Sequence, residues 1–199
     1  QSITVNQSGD YTVVVSDLPI GVNNSNDFSL EFTGNGYVDL SGSNFAVQGN
    51  NPRTISLWVN TTDPNPTLFS TGTAINNQSF NITTGLYPSP DGVVGVMGYT
   101  NDCYPSSGTP INDGNWHYVS VTYDGFGNLK IFVDGILDNS FSGMTYNTTG
   151  QDNYIGVNSN GFYHQLDGLL DNIEYWDKSL TEQEIQHYMH CSLIGNENG

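Results

Sequence analysis

Hydrolysis of a glycosidic bond needs two carboxylates facing one cleft, and the sequence holds twenty Asp and Glu from which to build such a pair. A regular strand sets two acids side by side on one face at acid–x–acid spacing. No strand-like stretch has it. Glu182 and Glu184 do, but they fall in the one stretch of helical period. Asp167, Asp171 and Glu174 are spaced so that a regular strand sends Asp171 and Glu174 to opposite faces. An acid pair on one strand is therefore not expected, and an enzyme would have to assemble its acids from loops. The histidines, His117, His164, His187 and His190, form no HExxH and no Ser-His-Asp motif in a recognised setting. His187 and His190 suit the end of a helix, where the local dipole favours them. His117 lies in a strand-like stretch.

Sugar recognition asks for other residues: aromatic faces to stack on pyranose rings, beside Asn, Asp and Gln for the hydroxyls. Two loops supply this mixture. One carries Tyr99, Asn101, Asp102 and Tyr104; the other carries Asn158, Asn160, Phe162, Tyr163, His164 and Gln165. The competing reading is that loops of extracellular β proteins are simply rich in Tyr and Asn. The cysteines, Cys103 and Cys191, show no CxxC spacing that would suggest zinc. In an extracellular chain a single disulfide between them is the economical reading, and unrelated thiols are the other.

Charge narrows the partners. Arg53, Lys130 and Lys178 are the only Lys or Arg, and the formal net charge is −17. Such a field repels phosphate, so nucleic acid and anionic membrane surfaces are not expected partners. No run reaches the length of a membrane-spanning helix. The start at Gln1 reads as a mature or excised fragment, secreted or at a cell surface.

The elements that must position these residues are strands. Trp116–Tyr123 and Asn128–Val133, rich in β-branched and aromatic residues, flank Asp124-Gly125-Phe126-Gly127 and predict a β-hairpin; Asp134-Gly135 closes its second strand. Further strands are expected at FSLEF, YVDL, TISLWVN, LFSTG, SFNITTGLY, GVVGVMGYT, Phe141–Thr149, Tyr154–Val157 and Leu166–Trp176. In Thr54–Asn60, Ile55, Leu57 and Val59 share one face while Ser56 and Trp58 take the other. A short helix opens at Thr181, with Glu184 completing a capping box and Leu180, Ile185, Tyr188 and Met189 as its apolar stripe. The fold expected is all-β, an antiparallel two-sheet sandwich with one short C-terminal helix. Residues 1–17 resemble the last hairpin of immunoglobulin-like repeats in bacterial surface proteins, or else form an N-terminal hairpin. Residues 18–27 read as a linker, 28–194 as the main domain and 195–199 as a tail.

Taken in order, FTGNGYVDL, TISLWVN, LFSTG, NWHYVSVTYDG, LKIFVDG, YIG and LDGLLDNIEYWDKSLT resemble the laminin-G-like, concanavalin-A-like jelly-roll family from about Phe28 to Met189. The resemblance implies two antiparallel sheets face to face, with variable loops at the rim, where both Tyr/Asn loops would meet near Tyr87. It makes Trp58, Trp116 and Trp176 strand or core residues, and His117 a residue expected to pack rather than to catalyse. It also implies a structural calcium held by Asp171 with carbonyls near Gly34 and Asn35. The stretch LDGLLDNIEYWDKSLTEQEI resembles pentraxins too, but Val157–Gly161 replaces their upstream acidic cluster, which argues against a two-calcium ligand site. The function expected is a non-catalytic extracellular binding or adhesion module, with a glycan or cell-surface polysaccharide as ligand and neighbouring domains of a longer chain as further partners. A polysaccharide hydrolase or lyase and a non-binding spacer are the alternatives.

Overall fold

A computed structural model describes residues 29–42, 46–150, 152–161 and 163–191. The hairpin expected at 1–17, the linker at 18–27, the tail at 195–199 and Phe162 lie outside the described residues. The strands are β1 (Leu30–Thr33), β2 (Val38–Asp39), β3 (Arg53–Thr61), β4 (Thr67–Gly72), β5 (Ser79–Thr84), β6 (Val94–Met97) and β7 (Trp116–Tyr123). They continue as β8 (Leu129–Val133), β9 (Ile136–Phe141), β10 (Asn153–Ile155) and β11 (Asp167–Trp176), followed by the helix α1 (Glu182–Tyr188).

Alternation sorts these strands into two layers. Ile55, Leu57 and Val59 of β3 point inward with Val119 and Val121 of β7 and Ile131 of β8, and meet Phe69, Phe80 and Ile82 of the opposing sheet. Ser56 and Trp58 point the other way, where the Ser56 and Ser120 hydroxyls pair across β3 and β7 at 2.8 Å. The result is an antiparallel six-stranded sheet, β1-β11-β3-β7-β8-β9, facing a five-stranded sheet, β2-β10-β4-β5-β6. Each fully buried Val, Leu, Ile or Phe side chain contributes about 1.5–3 kcal/mol, so this shared inner layer is the main source of stability.

The expected hairpin is present, and Asp124 builds its turn by accepting from the backbone N–H groups of Phe126 at 2.7 Å and Asn128 at 2.9 Å. The chain after Asp134-Gly135 differs from expectation. It forms β9 at once, whereas Phe141–Thr149, expected as a strand, leaves the sheet after Phe141. Gly143 at φ +75° turns the backbone there, and the segment is then fastened by single residues: Tyr146 enters the core and Thr148 receives the buried Arg53.

Arg53 is fully buried with no carboxylate partner among the described residues. Its guanidinium donates to Thr148 Oγ1 at 2.8 Å, Gly49 O at 2.6 Å and Asn51 O at 3.1 Å, and lies 5.5 Å from the centre of the Phe80 ring. Burial lowers its pKa, which the neighbouring Tyr175 and Tyr123 partly offset. A buried charge is tolerable only when hydrogen-bonded in this way.

Helix α1 lies on the outer side of the six-stranded sheet. Leu180 and Ile185 pack with Tyr118, Phe132 and Trp176, and Trp58, Tyr188 and Met189 close around them. The capping box is formed: Thr181 Oγ1 accepts from the Glu184 N–H, and Glu184 Oε2 accepts from the Thr181 N–H at 2.7 Å. This placement overturns the expected disulfide. Cys103 is buried in the inner layer beside Val96, while Cys191 is exposed just beyond α1, and both are free thiols. The six-stranded sheet separates them. Among the described residues no helix is long and apolar enough to cross a membrane.

Candidate functional site

The five-stranded sheet turns an unusual outer face toward its loops. In SFNITT of β5, Phe80 and Ile82 point into the core, so Ser79, Asn81 and Thr83 point out, yet all of them are buried. Ser70 of β4 stands opposite Asn81 and Thr67 opposite Thr83, both also buried. Such a polar floor is stable only if something polar covers it.

The cover is the segment after β10. Gly156, at φ +81°, lets the chain pass over Phe32: a Cβ there would come within 2.8 Å of that ring. The chain then crosses the floor. Ser70 Oγ donates to Val157 O at 2.9 Å, the Ser159 N–H donates to Asn81 Oδ1 at 3.0 Å, and the Thr67 N–H donates to His164 O at 2.7 Å. Asn81 also donates from Nδ2 to Met97 O at 2.8 Å. One side chain thus ties this segment to the end of β6.

The second Tyr/Asn loop begins where β6 ends and folds back so that Cys103 pairs with Val96. Gly95 lets it close, since a Cβ there would lie 2.7 Å from Cys103 O and 3.2 Å from the Tyr104 ring. Tyr104 therefore sits over the outer face of β6. Tyr99 and Thr100 take φ +56° and +127°, conformations rare for aromatic and β-branched residues. The Tyr99 side chain faces that of Ser159 without a well-formed hydrogen bond between the hydroxyls. Burial raises the Tyr99 pKa, partly offset by the nearby Ser159 side chain and reinforced by the Asp102 charge; burial and then the Asp102 charge raise that of Tyr104.

The structure therefore brings the two expected clusters together, through Tyr99 and Ser159. Asn158 and Ser159 are only 3% and 4% exposed, and Asn158 Oδ1, Ser159 Oγ, Tyr99 Oη and Thr67 Oγ1 have no hydrogen-bond partner among the described residues. Asn160 is half-buried in a turn closed by the Gly161 N–H donating to Asn158 O at 2.8 Å. Tyr163 is 64% exposed, and His164, at φ +57°, is half-buried beside it, as is Gln165. Asp102 is exposed and holds the Gly98 N–H at 2.7 Å. Asn101 turns away, donating to Thr145 O at 2.5 Å. Tyr87 is 92% exposed but follows the opposite end of β5. Sequence reasoning missed Ser159, Asn81, Ser70 and Thr67. The available signal was the small polar residues alternating with Phe80 and Ile82, a pattern that by itself reads as a solvent-facing side.

The residues expected to hold calcium do not converge. Thr33 pairs with Asp167 and Leu30 with Asp171's neighbour Leu170, while the Gly34 N–H donates to Leu166 O. Gly34 and the exposed Asn35 thus lie at the Asp167 end of β11, and Asp171 is four residues further along, about 13 Å. Asp171 instead accepts from the Asn172 N–H at 2.7 Å, and burial raises its pKa. These three residues do not fit a calcium ion, and the described residues contain no group of three or more His, Cys, Asp or Glu placed to hold a metal.

A bulge corrects another expectation. Asp171 stands opposite Trp58 and Glu174 opposite Ser56, so one extra residue on β11 puts both acids on the same outer face. Glu174 is nonetheless buried and interacts with Tyr118, away from open solvent. Of the tryptophans, Trp58 packs on Tyr118 at 5.3 Å and Trp176 on Tyr188 at 4.6 Å, as expected of core and strand residues, whereas Trp116 is 40% exposed.

His117 is more than packing. Its Nδ1 lies 2.9 Å from Asp134 Oδ2 and its Nε2 3.2 Å from Asp113 Oδ1. Burial pushes its pKa down, but the two carboxylates together outweigh burial and raise it. Asp113 is held at about 2, first by the Asn115 side chain and backbone and then by His117. His187 and His190 are exposed around the end of α1, with the His187 ring against Tyr188 at 5.3 Å.

Comparison with known proteins follows the same lines. No curated protein matches the chain in sequence. Domain 4 of AbnA, an extracellular GH43 arabinanase of Geobacillus stearothermophilus, in complex with arabinotriose, superposes with a TM-score of 0.60 at 18% identity over 80% of this chain and 75% of that one. Domains LG4-5 of the mouse laminin alpha1 chain give 0.59 at 15% identity, covering 86% of this chain and 47% of that one. The binding domain of botulinum neurotoxin DC, in complex with rat synaptotagmin II, gives 0.61 at 13%, covering 88% and 46%. This chain spans about half of the laminin and neurotoxin structures. At these identities the likeness shows the fold. A laminin G family model, described as the concanavalin A-like lectin/glucanases superfamily, matches residues 32–186. With two antiparallel sheets, one short helix and that match over most of its length, the chain belongs to the concanavalin A-like lectin/glucanases superfamily as a laminin G-like domain.

Proposed function

We propose that this chain is a non-catalytic, extracellular carbohydrate-binding module whose site is the joined loop pair over the five-stranded sheet. The observation that carries this reading is the meeting of Tyr99 with Ser159, which joins the loop that presents the exposed Tyr163 to the loop that presents the exposed Asp102. Tyr163 beside them offers an open aromatic face, and stacking on a sugar ring uses such a surface. Strained backbone at Tyr99, Thr100 and His164 concentrates in the same loops, which suits a pre-formed recognition surface. The arabinotriose in the AbnA domain structure supports the ligand class by analogy. Lack of catalysis is proposed because Glu174, which shares a face with Asp171, is buried away from any open cleft.

The test is quantitative binding to a glycan array, with a reducing-sugar assay on the same polysaccharides. Saturable binding without release of reducing ends is expected. Tyr163→Ala should weaken it about tenfold while leaving the melting temperature unchanged, because loss of one aromatic stacking surface costs on the order of 1 kcal/mol and the residue is exposed. Turnover by the wild type, or undiminished binding by the variant, would sink the proposal.

A further inference from the structure

Every fixed positive charge of this chain lies away from the loop site. Arg53 is fully buried in the sandwich, with its donors committed to Thr148, Gly49 and Asn51. Lys178 pairs with Glu184 at 3.4 Å and lies over Trp176 at 5.4 Å, on the outer side of the six-stranded sheet. Lys130 stands on β8 opposite Thr122, which alternates with inward-pointing Val121 and Tyr123, and so faces the same outer side. No other Lys or Arg exists in the sequence. Meanwhile the Asp102 carboxylate acts electrostatically on both Tyr99 and Tyr104 at the site itself, in a molecule of net charge −17.

From this we infer that the loop site takes uncharged glycans and rejects uronate, sialic-acid-type and sulfated sugars. The inference rests on the carbohydrate-binding reading and adds its ligand class. Recognition of a carboxylate or sulfate ordinarily uses Arg or Lys as the donor, with charge-assisted hydrogen bonds roughly twice as strong as neutral ones. Here an anionic substituent meets Asp102 with no cation to offset it, and exchanges its hydration for hydroxyl and amide partners alone. A neutral sugar loses nothing by that arrangement. Its hydroxyls both donate and accept, so they suit the amide and hydroxyl groups of the rim without needing a cation.

The experiment compares pairs that differ only in charge: homogalacturonan and its fully methyl-esterified form, mannuronan and its carboxyl-reduced form, and a sulfated galactan with its desulfated form. Neutral mannan, xylan and arabinan complete the panel. Binding is measured at pH 8 with chelator present. Neutral members should bind at least about tenfold more tightly than their charged partners. The gap should narrow in high salt, where exposed charges are screened, and in Asp102→Asn, which keeps an oxygen for the Gly98 N–H. Equal or tighter binding of the charged members, weakening with salt, overturns the inference and leaves carbohydrate binding intact. Binding of no polysaccharide at all overturns the carbohydrate reading itself, and this inference with it.

Discussion

Both ring nitrogens of His117 face carboxylate oxygens, and only the doubly protonated imidazolium can donate to both. A neutral ring leaves one aspartate facing a lone pair. The raised pKa follows from that geometry, and so does a stability profile. A histidine whose folded pKa exceeds the unfolded value of about 6.5 contributes stability that is complete below that value and lost as pH rises through the folded pKa. Asp113, depressed from 3.8 to about 2, contributes above the former and loses its share toward the latter. The cluster is therefore most stabilising from about pH 4 to about pH 6.5. The melting temperature of the wild type should fall relative to His117→Asn between pH 6 and 9. Parallel curves would show that the cluster contributes nothing. In the sequence, Asp113 and His117 were visible as a pair spaced by four, but Asp134 belongs to the far end of the next strand, and only pairing brings it alongside.

Among the elements, β5 matters most for the proposed site. Asn81 receives the Ser159 N–H and donates to Met97 O, so a single outward side chain joins the cover segment to the end of β6. Asn81→Ala should lower stability by about 2 kcal/mol, because it strands a buried donor and a buried acceptor. It should weaken glycan binding as well, since Tyr99 and Ser159 then lose their common anchor. Chemical denaturation and array binding of the purified variant test the pair of effects. Unchanged binding would place the ligand elsewhere. The elements themselves were legible: the central hairpin, the alternation of β3 and the capping box at Thr181 all follow local rules. The segment Phe141–Thr149 was not, because Tyr146 and Thr148 are held by the core and by Arg53 rather than by a ladder.

At the scale of the whole molecule, the sandwich keeps its sulfurs on different sides of a sheet. Cys103 is buried with Sγ 3.2 Å from Tyr146 Oη, and burial pushes its thiol up to about 12. Cys191 is exposed past α1. A thiol reagent should therefore label Cys191 within minutes and Cys103 only on unfolding, and reductant should leave the melting temperature unchanged. A reductant-dependent melting temperature would restore the disulfide. The same separation of sheets sets the charge pattern, with the lysines on one side and the proposed site on the other.

The sequence by itself determined most of the strands, the helix cap, the family and the scarcity of cations, because each is encoded in residue types a few positions apart or in composition. Tertiary structure alone decided which residues work together. Tyr99 and Ser159 lie sixty residues apart and meet only because both loops fold over β5. Asp171 and Glu174 share a face only because β11 bulges, and Asp171 misses Gly34 because of the register with β1. Period-two alternation assigns a side to a residue within one uninterrupted strand; a bulge, a register or a crossing loop depends on what the strand packs against.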